Sequence, residues 1–317
     1  MTATRRFACT QCGQCCNRPP EVELSEAAAL ADVFVFRLMF RLYSLPRSSV
    51  DYRPAQGSVG DEFFQVKRLV GAFAAYKYYA KSKRDGKVVE DIQYLTISAL
   101  ALDLGTGACG ALNQGFCGIY SYRPLACQTV PFHYSRTEAM ITEVFDSFVA
   151  SPGYACETSA DGTVVIERGR IVDEAVLEAR ARAQSLANDD RRWKSAIVRA
   201  MKHRSGIGLP TLREVEANAH RGVLTTPMHI AWQIAVEAGL MSVQECHTLV
   251  TAQERVIGEA LVMKGLSSEV NETLLQIHHH NRAFLSGQHG AQFNGSAIQA
   301  FGHDTGHRLP WASRPSQ

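Results

Sequence analysis

At 317 residues, 46% of them hydrophobic and 20% charged, the chain has an ordinary globular composition and the length for about two domains, which excludes disorder throughout. Its 33 Lys and Arg against 31 Asp and Glu leave a formal charge of +2, a balance that argues against a nucleic-acid or membrane-surface partner. Arg37 and Arg41 interrupt the best apolar run, at 31–45, so nothing approaches the ~20 apolar residues of a membrane span; with no apolar core after Met1 to Arg6, a cytoplasmic protein is expected.

In chain order, a run of cysteines opens the sequence and Pro19-Pro20 breaks it. Ser25 is placed to cap a helix from Glu26 to about Tyr43, on which Leu30, Val33, Phe34, Leu38 and Leu42 recur at helical spacing before Pro46. Residues 47–61 read as a loop, and the apolar and aromatic stretch 62–82 as helical, with short strands as the alternative. After the Asp85-Gly86 turn, Val88 to Leu104 reads as a buried strand pair. Gly105, Gly107, Gly110, Gly115 and Gly118 then alternate with cysteines, as in a loop wrapped around a site. Met140 to Val149 and Thr163 to Glu167 read as short strands.

From Ile171 the pattern is helical: Val172 to Ala187, Arg191 to Lys202, Pro210 to Ala219, a helix opened by Thr226-Pro227 and closed by Gly239, a long one opened by the Ser242 to Glu245 capping box, and a last one from Glu269 to Ala283. The expected fold class is α+β: a small cysteine-rich metal-binding α+β domain over 1–170, an all-α helical region over 171–285, and a disordered tail over 286–317.

Nine cysteines need a reason in a reducing compartment, where stable disulfides are disfavoured. Cys9, Cys12, Cys15 and Cys16 fall within eight residues, and Cys109, Cys117 and Cys127 within nineteen. Cys-x2-Cys on a tight turn brings two thiolates to one ion or one cluster corner, so the first run supplies up to three ligands from a single loop. Cys15 and Cys16 are neighbours whose side chains do not easily reach the same ion, so one of them is expected to face elsewhere. Seven clustered cysteines exceed the four of a single all-thiolate site, and Cys156 is a candidate eighth, which together point to two metal centres or one multinuclear centre. Arg5, Arg6, Arg18 and above all Arg123 are placed to offset the negative charge of such a centre. Cys246, on an apolar helix face, reads as a core residue, and His133, His278, His279 and His280 read as structural or surface histidines. The His303-Asp304-x2-His307 group falls in the tail.

The segment Phe7-Ala8-Cys9-Thr10-Gln11-Cys12-Gly13-Gln14-Cys15-Cys16, with Cys117-Gly118-Ile119-Tyr120-Ser121-Tyr122-Arg123-Pro124-Leu125-Ala126-Cys127, resembles the YkgJ-type cysteine-cluster family over roughly residues 7–133. The resemblance implies zinc or iron chelation by Cys9, Cys12, Cys15, Cys16, Cys109, Cys117 and Cys127, and departs from the pattern at Gln128-Thr129-Val130-Pro131. The expected function is a metal-binding protein holding an iron–sulfur or iron centre with a redox or modifying role toward a protein partner or substrate not specified by the sequence. The alternatives are a zinc-binding structural or interaction module and, through the distantly similar flagellin lysine methylases with their wider cysteine spacing, a protein lysine methyltransferase. Catalytic residues are not identified.

Overall fold

The computed structural model describes residues 4–16, 18–47, 62–84, 86–134, 136, 138–151, 153–203, 208–219, 222–287 and 299–301. The fold is α+β, organised on an antiparallel sheet. Its strands are β1 (Arg5–Phe7), β2 (Glu21–Val22), β3 (Phe36–Pro46), β4 (Ala74–Arg84), β5 (Lys87–Ala101), β6 (Leu112–Asn113), β7 (Phe116–Cys117), β8 (Thr163–Glu167), β9 (Arg170–Ile171), β10 (Val223–Pro227) and β11 (Gln299–Phe301). The helices are α1 (Leu24–Ala29), α2 (Glu62–Phe73), α3 (Leu125–Gln128), α4 (Glu138–Val149), α5 (Glu174–His203), α6 (Leu212–Asn218), α7 (His229–Glu237), α8 (Val243–Leu261) and α9 (Ser268–Leu285).

The main sheet runs β11-β10-β3-β5-β2, and β4 pairs with β5 beyond the short β2 contact. Strand β3 holds the structure together because its pleat sorts Phe36, Leu38 and Phe40 to one face, where they join Leu95, Ile97 and Ala99 of β5 under α1, α5 and α7. Arg37 and Arg41 point to the other face. A helix expected from Glu26 to Tyr43 therefore stops at Ala29. Phe34, Leu38 and Leu42 fit a helical period, but residues 36–42 fit a period of two equally well, and an eleven-residue ladder with β5 decides the matter.

Four further expectations are corrected in the same way. The stretch from Met140 to Val149 is helix α4 rather than a strand, because Ile141 and Phe145 are four residues apart and both bury against Phe132, Val165 and Ile166. Where a strand pair was expected over Val88 to Leu104, one long strand, β5, runs over Lys87–Ala101 and is paired on both edges. Thr226 and Pro227 end strand β10, and α7 begins after them. The two helices expected over 172–202 are the single helix α5, whose Asp190 is wholly buried and accepts hydrogen bonds from the backbone N–H groups of Leu24 (3.1 Å) and Ser25 (2.9 Å). Asp190 thus caps α1 from another helix, in the role expected of Ser25.

The helix-rich part after residue 171 shares the core with the part before it. β10 lies beside β3, and one apolar cluster extends from Val22 to Phe284. A second, smaller sheet, β1-β8-β9, carries α4 on one side and positions the first cysteine segment. The tail expected to be disordered lies outside the described residues apart from Ser286, Gly287 and β11, which pairs with β10.

Candidate metal centre

Strand β1 delivers the first cysteines. It is pinned by Arg5, whose Nε and Nη2 donate to the two Asp146 carboxylate oxygens on α4 at 2.6 and 2.8 Å, and by pairing with β8. Just beyond it Ala8 and Glu157 exchange two backbone hydrogen bonds (2.8 and 3.0 Å), and Thr10 Oγ1 donates to Ala155 O at 2.9 Å. These bonds carry Cys156 into the neighbourhood of Cys9 and Cys12, although about 145 residues separate them in sequence.

The loop then folds back on itself. Gln11 and Gly13 have positive φ (57° and 74°), and residues Gln14–Cys16 form a 3-10 turn in which Cys16 N–H donates to Gly13 O at 2.9 Å. Its partner is the glycine-rich loop. Cys109 N–H donates to Cys16 O at 2.9 Å, and the Gln114-Gly115 turn of the β6–β7 hairpin lies against Gly13. Both turn residues have positive φ (50° and 85°), as a two-residue hairpin requires. Cys127 arrives on α3, whose first N–H, from Leu125, donates to Glu26 Oε1 at 2.6 Å.

The electrostatics show which thiols act on one another. Cys15 is the hub: Cys12, Cys16, Cys109, Cys127 and Cys156 all feel its charge. Around it lie two groups, Cys16 with Cys109, Cys117 and Cys127, and Cys12 with Cys9 and Cys156. A hydrogen bond from the Cys16 thiol, then the Cys15 N–H and the Arg123 and Arg18 guanidiniums, bring Cys15 down to about 6 against its burial. The same bond, with burial and the neighbouring sulfurs, pushes Cys16 far up. Burial first, then Cys109 and Cys15, raise Cys127 to about 12; burial, then Cys12, Cys15 and Cys9, raise Cys156 to about 11. Cys109 is raised by burial, with the Ala111 N–H working against it. Cys12 is lowered by the N–H groups of Gln14 and Ala155.

All eight candidate cysteines are free thiols, Cys9 exposed and the rest half-buried, while Cys246 is buried in the main core. Among the described residues no three His, Cys, Asp or Glu side chains close into the geometry of one ion's ligands. The donor chemistry nevertheless fits a cation. Several sulfurs are pushed up by burial and by one another, a positive centre would offset both effects, and backbone N–H groups already point at Cys12 and Cys109.

The vicinal Cys15 and Cys16 thiols are hydrogen-bonded to each other, and other cysteines of the group act on Cys16 as well. Arg123 and Arg18 act on Cys15 as expected, but Arg5 is held by Asp146, and Arg6 donates to Gly162 O (2.8 Å) and Ala160 O (3.3 Å). His133 packs on Tyr134 and Phe73, His278 Nδ1 lies 2.7 Å from Glu254, and His303 and His307 fall outside the described residues. Sequence reasoning missed Glu26, which anchors Leu125 and acts electrostatically on Cys127, and Tyr154, which feels Cys15, Cys156 and Cys12. Tyr154 was within reach, two residues before a candidate ligand; Glu26, 99 residues from Leu125, left no local signal. Comparison of the chain with protein families, with curated proteins and with solved structures gives no match.

Proposed function

We propose that this is a metal-binding cysteine-cluster protein whose thiols hold an iron–sulfur or iron centre. What supports the reading is that thiols from three stretches, 9–16, 109–127 and 156, lie within electrostatic reach of one another, the first two loops being joined by the Cys109 N–H to Cys16 O hydrogen bond and by the Gly13–Gly115 contact. Folding rarely crowds so many partly buried thiols without a cation to share, because each raises the cost of ionising the next. A set larger than four suits clusters better than a single closed zinc site, and N–H donors aimed at sulfur are the means by which proteins tune cluster potentials. The exposed Cys9 edge gives a partner access for electron transfer.

Anaerobic purification followed by iron, sulfide and zinc analysis and a visible spectrum tests this. Iron with acid-labile sulfide and a brown protein is the expected result. A colourless protein with stoichiometric zinc replaces it with a zinc-binding structural module. Cys12→Ser and Cys117→Ser should each lose bound metal, and retention of full metal content in both would overturn the site.

A further inference from the structure

An isolated antiparallel bridge joins the first cysteine segment to the segment around Cys156. Ala8 N–H donates to Glu157 O at 2.8 Å and Glu157 N–H to Ala8 O at 3.0 Å, so these two residues exchange both of their hydrogen bonds. One step along an antiparallel ladder from such a pair stands a pair with no hydrogen bonds between its members, whose Cα atoms approach to about 4.5 Å and whose side chains leave the same face. In this register that pair is Cys9 and Cys156. On its far side Thr10 Oγ1 donates to Ala155 O at 2.9 Å, so the two segments are tied on both flanks of the cysteines.

A disulfide fits where two cysteine Cα atoms lie about 4.4–6.8 Å apart with their Cβ atoms directed at each other, so this register links Cys9 to Cys156 without rearranging the backbone. Both are free thiols, and Cys9 is exposed. Among the described residues no three ligating side chains close on one ion, but a disulfide needs only two sulfurs. The rival pairs in the opening loop are worse placed. Gln11, at φ 57°, turns the chain between Cys9 and Cys12, and the Cys12 sulfur already accepts from the Gln14 and Ala155 N–H groups. Cys15 and Cys16 are neighbours in sequence, and a link between them closes a strained ring.

In a reducing compartment a link of this kind is made and broken in turn, which makes it an exchange site and not a permanent staple. We propose that Cys9 and Cys156 are a dithiol–disulfide pair that exchanges with a small disulfide of the glutathione type. The exposed Cys9 thiolate attacks one sulfur of the small disulfide, forming a mixed disulfide and releasing the first thiol. The Cys156 thiolate then attacks Cys9 Sγ, closing the Cys9–Cys156 bond and releasing the second. The pair gives up two electrons and two protons, the small disulfide takes them up as two thiols, and excess thiol reverses each step. Cys12, Cys15, Cys16, Cys109, Cys117 and Cys127 keep their thiols throughout, so the exchange is independent of the metal they are proposed to hold.

The test equilibrates the full chain, as purified and after chelation, with glutathione and glutathione disulfide, quenches with acid, alkylates, and maps the unreduced peptides by fragmentation. A Cys9–Cys156 link should appear in both samples as the disulfide fraction rises, with loss of two of the nine thiols, and excess glutathione should restore them. Cys156→Ser should stop at a glutathione held on Cys9, Cys9→Ser should lose the link, and Cys12→Ser should keep it. Metal analysis of the same samples separates this site from the metal centre: a protein that binds no metal and still forms the link supports the exchange pair alone. A link that forms only after chelation assigns both sulfurs to the metal and overturns the proposal, as does the absence of any link. A link from Cys156 that persists in Cys9→Ser, or a dominant Cys9–Cys12 link, overturns it as well.

Discussion

Gly13 has φ +74°, and a Cβ built on it would stand 2.7 Å from the carbonyl oxygen of Gly115. Both the backbone conformation and the contact exclude a side chain there, and the neighbour is a main-chain atom that cannot turn aside. Gly13→Ala should therefore separate the two cysteine loops, costing on the order of 1–3 kcal/mol and a large part of the bound metal. Gly110→Ala, where a Cβ meets nothing within 4 Å, should leave both unchanged. Thermal unfolding and metal analysis of the two variants make the comparison. The thiols differ as sharply. Cys15 is brought down to about 6, toward the thiolate, by the Cys16 hydrogen bond and nearby guanidiniums, whereas burial raises Cys127 to about 12. In reduced, metal-free protein at pH 7, iodoacetamide should modify Cys15 before Cys127, with the Cys15 rate falling below about pH 6, as peptide mapping will show. The ligand candidates were legible in the sequence because Cys-x2-Cys is a local spacing. Their ranking was not, because it depends on which sulfur the fold places at the centre.

Among the elements, α1 and β3 show where local pattern runs out. The helix ends at Ala29, and the turn into β3 is held by Gln253 of α8, whose Nε2 donates to Ala31 O and Phe34 O and whose Oε1 accepts from Phe36 N–H, all at 2.7–2.8 Å. No spacing rule connects residues 217 or 166 apart, so neither this clamp nor the Asp190 cap could be read in advance. Gln253→Ala leaves three buried backbone groups without their partner and should cost about 3 kcal/mol or more, seen as a lower denaturant midpoint. The junction of α1 with α5 adds a pH dependence. Burial first, then Asp190, push the Glu23 carboxyl up to about 7 against the pull of Lys194. Its folded value lies above the ordinary 4.5, so the folded state holds the extra proton between those two values. The stability this group contributes is therefore fully present below about pH 4.5 and lost as pH rises through 7. Glu23→Gln, neutral throughout, should flatten that part of a stability profile measured from pH 4.5 to 8. A profile identical to that of the unmodified chain would assign the slope to other groups.

At the scale of the molecule, two kinds of architecture meet. The α+β class was legible because the capping box at Ser242 and the apolar periodicity mark the later helices, while the short β-branched run in Thr163–Glu167 marks a strand. The sharing of one core was not, since only the pairing of β10 with β3 reveals it, and such pairing leaves no mark in either strand alone. The cysteine loops lie at the rim of this core, with Cys109, Ala111 and Cys117 packed against it, and are otherwise held by short sheets, a few backbone hydrogen bonds and the Glu26 anchor on α3. Metal bound there should thus stabilise the loops far more than the core. Chelation of the purified protein is expected to open residues 9–16 and 109–118 to proteolysis and hydrogen exchange, while the exchange protection of β3, β5 and α8 stays close to its original level. The far-UV circular dichroism, dominated by the helices, should change little. Loss of protection in β3 and β5 on chelation would show instead that the metal holds the whole fold together, as it does in domains too small to form an apolar core.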